Sequence, residues 1–207
     1  MPAEQEPGLR ERKKADTRKA LSDAALQIMF ERGLENVVRE DIAARAGVSV
    51  RTFNNYFSGK YDALAYRQLA RIRGGIEILR SYPAKAPLWE AITAALVEPL
   101  EAELAGAPQA GIPTRAQLDE TKKLLAAPEM RSMLYRGVED DLIAAVAART
   151  GTDPESSMCP RLVVGAILTA QHAAIEAYVR ADPPVPIVDL IRQALTALAA
   201  GLPEPPA

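Results

Sequence analysis

Between Val48 and Phe57 the chain reads VSVRTFNNYF, which crowds hydrogen-bonding side chains into a few positions. Phe53 and Phe57 are spaced i, i+4 and share one helical face. Arg51, Thr52, Asn54, Asn55 and Tyr56 fall on the rest of the surface. Asparagine is a poor helix former, so two of them side by side serve something other than packing. Asn can bond adenine bidentately and Arg can do the same to guanine, each pair contributing about 1–3 kcal/mol of discrimination. The chemistry this pattern suits is the reading of nucleic acid.

A short rod of this kind must be held by its neighbours, because an isolated helix of two turns is marginal in water. The preceding segment VREDIAARAG predicts a short helix with Ile42, Ala43 and Ala46 on one side. Gly47 supplies the positive φ of a sharp turn. Val48 plugs the angle between the two helices, and Ser49 is placed to cap the second. Ala43 is small enough for close approach. Helix, tight turn and helix over 38–57 make a helix-turn-helix plan. Upstream, TRKALSDAALQIMFERG carries Leu21, Ala24, Ala25, Ile28 and Met29 as one amphipathic stripe ended at Gly33.

The run ALSDAALQIMFERG…DIAARAGVSVRTFNNYFSGKYDAL resembles the N-terminal domain of the tetracycline-repressor (TetR) family of bacterial transcriptional regulators. The match covers about residues 13–64, and the AGVS, YF and Lys60 positions make it specific. The resemblance implies three DNA-binding helices, with the helix at 50–57 in the major groove. It implies a fourth, connecting helix from about residue 60 into a ligand-binding and dimerising domain. It places Val50, Arg51, Thr52 and Asn54 near bases, with Tyr56 and Lys60 on phosphates. The family usually has Thr-Thr before its second helix, whereas this chain has Val37-Val38. An apolar cap costs about 1 kcal/mol and removes a phosphate contact, which leaves Asn36 as a substitute cap and Arg39 as a substitute phosphate ligand.

Charge is unevenly placed. Residues 1–73 carry 14 Lys/Arg against 10 Asp/Glu, while the whole chain has a net charge of −2. The arm LRERKKADTRK is the most basic stretch, and Arg12, Lys13, Lys14 and Arg18 are its candidates for phosphate contact, with salt-dependent affinity and little sequence information. A solvated, unstructured head is the alternative reading of the same charges.

The 207-residue chain is 48% hydrophobic, mostly Ala and Leu, with 5% aromatics. That composition favours helix throughout. The fold expected is all-α with about nine helices: a basic unstructured arm over 1–12, a helix-turn-helix domain over 13–59, a helical regulatory and dimerisation domain over 60–202 whose connecting helix is 60–82, and an unstructured tail over 203–207. Gly74-Gly75 is expected to bend the connecting helix, GAPQAGIP reads as a loop, and Thr114 with Gln117 makes a capping-box pattern. One helix is expected from Pro128 to a stop at Gly151, and another opens at Asp153-Pro154 and runs to about Arg180. No uninterrupted apolar run reaches the roughly eighteen residues that span a bilayer. The N-terminus lacks signal-peptide character, and the single Cys159 suits a reducing cytoplasm.

In the body, Trp89, Met130, Met133, Tyr135, Met158 and His172 are candidates for an apolar ligand pocket. Methionines at helical spacing are more often core, and a lone histidine is poor evidence for a metal site. Gly165, Ala166, Ala173 and Ala177, with Ile191, Leu195 and Leu198, are candidates for a dimer interface, which the family builds from its last two long helices. No nucleophile–base pair, phosphate loop or metal-spaced cluster supports an enzyme, and no cofactor is expected. The reading is a homodimeric DNA-binding repressor released by a small hydrophobic or amphipathic ligand, with fatty-acyl compounds as candidates. A regulator governed by a protein partner is the alternative, and a small all-helical enzyme the outside one.

Overall fold

The structure is a computed structural model that describes residues 8–105, 113–135 and 138–202, the side chains of Arg131 and Tyr135 excepted. Among these residues there are ten α-helices, one 3-10 turn and no strand. The helices are α1 (Leu9–Arg32), α2 (Arg39–Arg45), α3 (Val50–Tyr56), α4 (Lys60–Ser81) and α5 (Leu88–Ala105), then α6 (Arg115–Ala126), α7 (Pro128–Tyr135), α8 (Glu139–Thr150), α9 (Met158–Arg180) and α10 (Ile187–Ala199). The chain divides into two compact units, residues 1–68 with 123–133, and residues 69–122 with 134–207. The helix-turn-helix domain expected over 13–59 lies within the first unit.

The first unit packs the apolar stripe of α1 against α2, α3 and the start of α4. Leu21, Ala25, Ile28, Ile42, Phe53 and Ala63 are fully buried. Ser22 is the one buried polar residue among the described residues, and its hydroxyl donates to the carbonyl of Ala63 at 2.7 Å, fastening α1 to α4. Asp23 accepts from Arg67 at 3.0 Å beside it.

The second unit is built on one apolar cluster. It takes Ile76 and Leu79 from α4, Ile92 and Val97 from α5, Val146 from α8, Val164 and Ile167 from α9, and Ile191 and Leu195 from α10. A Cβ at Gly75 would collide with the carbonyl oxygen of Ala95. That glycine, one of the pair expected to bend α4, lets α4 and α5 approach closely, and α4 is a single helix through it. Thr114 and Gln117 form the expected capping box at the start of α6, each side chain bonded to the other's backbone N–H at 3.3 and 2.9 Å.

Several boundaries differ from those the pattern predicts. The arm is helical from Leu9, since nothing after Gly8 breaks a run of good helix formers and Glu11 sits in the first turn. The segment expected as one helix from Pro128 to Thr150 is two, α7 and α8, which turns about nine helices into ten. The helix expected from Asp153-Pro154 starts at Met158. Asp153 bonds the Glu155 N–H at 2.9 Å and the Ser156 hydroxyl at 2.7 Å in a local turn, and Ser157 then caps α9. These bonds hold the Asp153 carboxyl below its ordinary value, the Ser156 hydroxyl contributing most. The loop around 106–112, the tail over 203–207 and residues 1–7 of the arm lie outside the described residues.

By length and composition α9 is apolar enough to cross a membrane, yet only 28% of its apolar window is buried inside the chain. Met158, Leu162, Gly165, Thr169, His172, Ala173 and Ala177 all stand exposed along it.

Candidate nucleic-acid interface

The angle between α2 and α3 is set by backbone bonds. Val48 N–H donates to the Ala43 carbonyl at 2.9 Å and Gly47 N–H to Ala44 at 3.1 Å. Gly47 has φ 69°, where a side chain would be strained. Ala43 is buried under the turn and Val48 is half-buried. Ser49 caps α3, its hydroxyl oxygen accepting the Thr52 N–H at 3.1 Å.

Phe53 and Phe57 are buried, with ring centroids 5.9 Å apart, and Phe57 meets Tyr66 edge-on at 5.8 Å. Replacing such a buried ring by alanine costs about 3–5 kcal/mol, so these anchors decide whether α3 exists at all. Their burial turns Arg51, Asn54 and Asn55 outward as exposed side chains, with Val50, Thr52 and Tyr56 half-exposed beside them.

The N-terminal part of α1 lies next to this face. A cleft of about 480 Å³ belongs elsewhere in the molecule; here, Lys13, Lys14 and Thr17 of α1 share a larger one of about 980 Å³ with Thr52, Asn55 and Tyr56 of α3. Arg10 and Leu9 also line it. These three residues, Leu9, Arg10 and Thr17, lie in the arm but outside its candidates for phosphate contact. They are found only once the arm is known to be helical and fixed in phase with α3.

Arg18 is placed differently from the rest of the arm. Its guanidinium donates to the Tyr56 carbonyl at 3.3 Å, at the C-terminal end of α3. It also lies 5.5 Å from the Phe57 ring centroid and 5.4 Å from that of Tyr66. Its Nε is buried without an acceptor among the described residues. Arg18 therefore fastens α3 from within. A cation at a helix C-terminus is favoured by the helix dipole, which explains an arginine at this point.

Lys60 donates to the Leu34 carbonyl at 3.0 Å and stands 5.6 Å from the Tyr61 ring centroid. An ammonium has three protons, so this bond positions it and leaves donors for an anion. Arg39 is exposed at the first position of α2. Val37 is buried, whereas Val38 is 44% exposed at the cap position and makes no cap bond. Asn36 does not substitute as the cap of α2; its amide donates backward to the Arg32 carbonyl at 2.6 Å, closing the end of α1. The pair Arg45–Glu31, at 2.6 Å, ties α2 to α1. Arg45's hydrogen bond holds the Glu31 carboxyl below its ordinary value of 4.5.

The pocket candidates do not converge. Trp89 lines the smaller cleft in the second unit. Met130 is buried in the first unit, Met133 is half-buried, and Met158 and His172 are exposed on α9. The Tyr135 side chain lies outside the described residues. The dimer candidates separate too. Gly165, Ala173 and Ala177 are exposed on α9 and Ala166 is half-exposed, while Ile191 and Leu195 turn into the core of their own unit and Leu198 packs against it.

A three-helix unit that holds a short polar helix outward over a capped tight turn, beside a basic helix, is that of a helix-turn-helix DNA-binding transcriptional regulator. Residues 21–65 match the profile described as bacterial regulatory proteins, tetR family, and residues 86–203 match the MftR C-terminal domain profile. The chain belongs to the TetR family. It is 30% identical over 182 residues to the HTH-type transcriptional regulator TcmR of Streptomyces glaucescens, covering 85% of this chain and 79% of that one. Two solved structures share its fold. The fatty acid degradation regulator FadR from Bacillus halodurans has a TM-score of 0.59 and 21% identity over 96% of this chain and 98% of its own. Thermus thermophilus FadR, a transcriptional repressor in complex with lauroyl-CoA, has a TM-score of 0.57 and 18% identity over 92% and 97%.

Proposed function

We propose that this protein is a dimeric, ligand-responsive repressor that reads a two-fold operator in the bacterial cytoplasm and leaves it when a small hydrophobic or amphipathic effector binds. The observation that carries the reading of DNA is the outward row on α3. Arg51, Asn54 and Asn55 are exposed, and their side chains bond to nothing among the described residues. Val50, Arg51, Thr52 and Asn54 approach bases. Tyr56, Lys60, Arg39 and the arm residues Arg12, Lys13 and Lys14 take phosphates.

The dimer is supported by the outward side of α9. Leu162 is 60% exposed and Met158 71% exposed, beside Gly165, Ala166, Ala173 and Ala177. Small residues on a long apolar helix admit a second helix closely, and a contiguous exposed apolar row marks an interaction surface. A two-fold pair of reading heads places half-sites about 34–36 Å apart, or at a multiple of that distance. An effector acts only through different affinities for the bound and released arrangements. Fatty-acyl compounds come first among effectors, since a protein of the same fold binds lauroyl-CoA. The scattering of the expected pocket residues favours a second reading, in which the body answers to a protein partner.

The test is a mobility shift with footprinting on DNA flanking the protein's own gene, over a series of salt concentrations, with and without lauroyl-CoA. Salt-sensitive, sequence-selective protection is expected. Binding that ignores sequence, or no binding at low salt, would refute the reading.

A further inference from the structure

The second unit carries an open groove between α5 and α10, about 480 Å³ in volume. That is within the roughly 300–1,000 Å³ of small-molecule sites. Its floor is Val97 and Leu195, both buried in the core. Glu90, Glu98 and Glu101 project along it from one face of α5. Eleven residues separate the first from the last, about 16 Å of helix. The two ends differ. At one, Glu101 is neutralised by Arg192 of α10 at 2.8 Å. At the other, Glu90 accepts the Tyr82 hydroxyl at 2.9 Å, and Trp89 lies beside it.

The balance of charge is negative. Among the described residues Arg192 is the only cationic one in the lining, and it is already paired. Glu98 is exposed and makes no hydrogen bond or ion pair among the described residues, and Glu90 has only the phenol. The Tyr82 hydroxyl registers this field. Its pKa is raised by the bond to Glu90, then by burial and by the charges of Glu90 and Glu98, against the opposing charge of Arg149. Arg149 already lies 5.7 Å from the Tyr82 ring centroid, so Trp89 is the aromatic face left to a ligand. Indole is the strongest cation–π partner among side chains.

We propose that this groove binds a lipophilic organic cation, with its charge at Trp89, Glu90 and Glu98 and its apolar body over Val97 and Leu195. An anion meets the carboxylates of Glu90 and Glu98 there, with no cation left to pair it, and is excluded. The site goes beyond the regulatory reading above. It shares no residue with the α3 face or with the outward row of α9, and it stands whether or not DNA binding responds to it.

Trp89 is the only tryptophan in the chain, so its fluorescence reports on the groove alone. The full-length protein is titrated with tetraphenylphosphonium and, separately, with tetraphenylborate, which has nearly the same size and shape and the opposite charge. A saturable change with one phosphonium per chain is expected, and none with borate over the same range. Glu98→Gln should bind phosphonium about 3- to 5-fold more weakly, the size of one lost contact between surface charges. Thr196→Lys, at an exposed lining position on α10, should abolish binding by placing an ammonium in the groove. Equal binding of the two ions, no saturable response, or wild-type affinity in both variants would overturn the proposal.

Discussion

Replacing Arg18 by methionine separates two roles that an arginine near DNA can have. The apolar stem survives the change, and the charge and its donors are lost. The bond to the Tyr56 carbonyl is long, at 3.3 Å, and counts at the lower end of the about 1.5–3 kcal/mol of charged hydrogen bonds. The contacts with Phe57 and Tyr66 add about 0.5–1 kcal/mol each. Against these, removing a buried Nε without an acceptor returns about 1 kcal/mol or more. The net loss of stability comes to about 2 kcal/mol. Urea unfolding measures it, through the denaturation midpoint at constant slope. Operator affinity should fall as well, because the end of α3 is no longer fastened. The salt dependence of binding should stay unchanged, whereas loss of one phosphate contact lowers the slope by about 0.9. Unchanged stability with a slope reduced by about one would refute the fastening role and return Arg18 to the DNA surface. Lys13→Ala should show that opposite signature, with a flatter slope and unchanged stability.

Gly75→Ala drives a methyl group into the backbone of Ala95 and should cost about 1–3 kcal/mol in thermal unfolding; an unchanged midpoint would mean that α4 and α5 can part freely. Asn54→Ala should relax sequence preference at one operator position, whereas Lys60→Ala should weaken all sequences alike and flatten the salt slope, as fluorescence anisotropy on matched and mismatched DNA would show. Ala173→Glu on the exposed side of α9 should shift the protein from dimer to monomer in sedimentation, with its helical content kept. Glu31 has a folded pKa below its ordinary 4.5, so its contribution is present above that value and lost as pH falls through the folded one. Glu31→Gln should therefore reduce the difference in unfolding stability measured on either side of pH 4.5.

The outward face of α3 was legible because its signals are local. Two phenylalanines at i, i+4 state which side of α3 is buried, and the bonds of Gly47 and Ser49 lie within four residues of one another. The Thr114–Gln117 box is legible for the same reason. What escaped depends on partners distant in the chain. Arg18 looks like any other cation of a basic run until Tyr56, 38 residues on, supplies its acceptor. Ile191 and Leu195 lie on an apolar stripe that periodicity cannot assign to the chain's own core or to a second copy. The methionines were grouped by residue type, whereas packing sends Met130 inward and Met158 out. The start of α1 was missed because charge density reads as solvation, although Arg, Lys and Glu are good helix formers.

The continuity of α1 from the arm to the core makes its basic residues a matter of phase. Along an unbroken helix each residue turns the chain by about 100°. One residue inserted between Ala15 and Ala20 would therefore swing Lys13 and Lys14 around the axis, away from Thr52 and Asn55, while adding almost nothing to their reach. A tethered, structureless arm would absorb the same insertion without effect. On the proposed reading, the spacing between the basic cluster and the core stripe is as much a part of DNA recognition as the residues themselves.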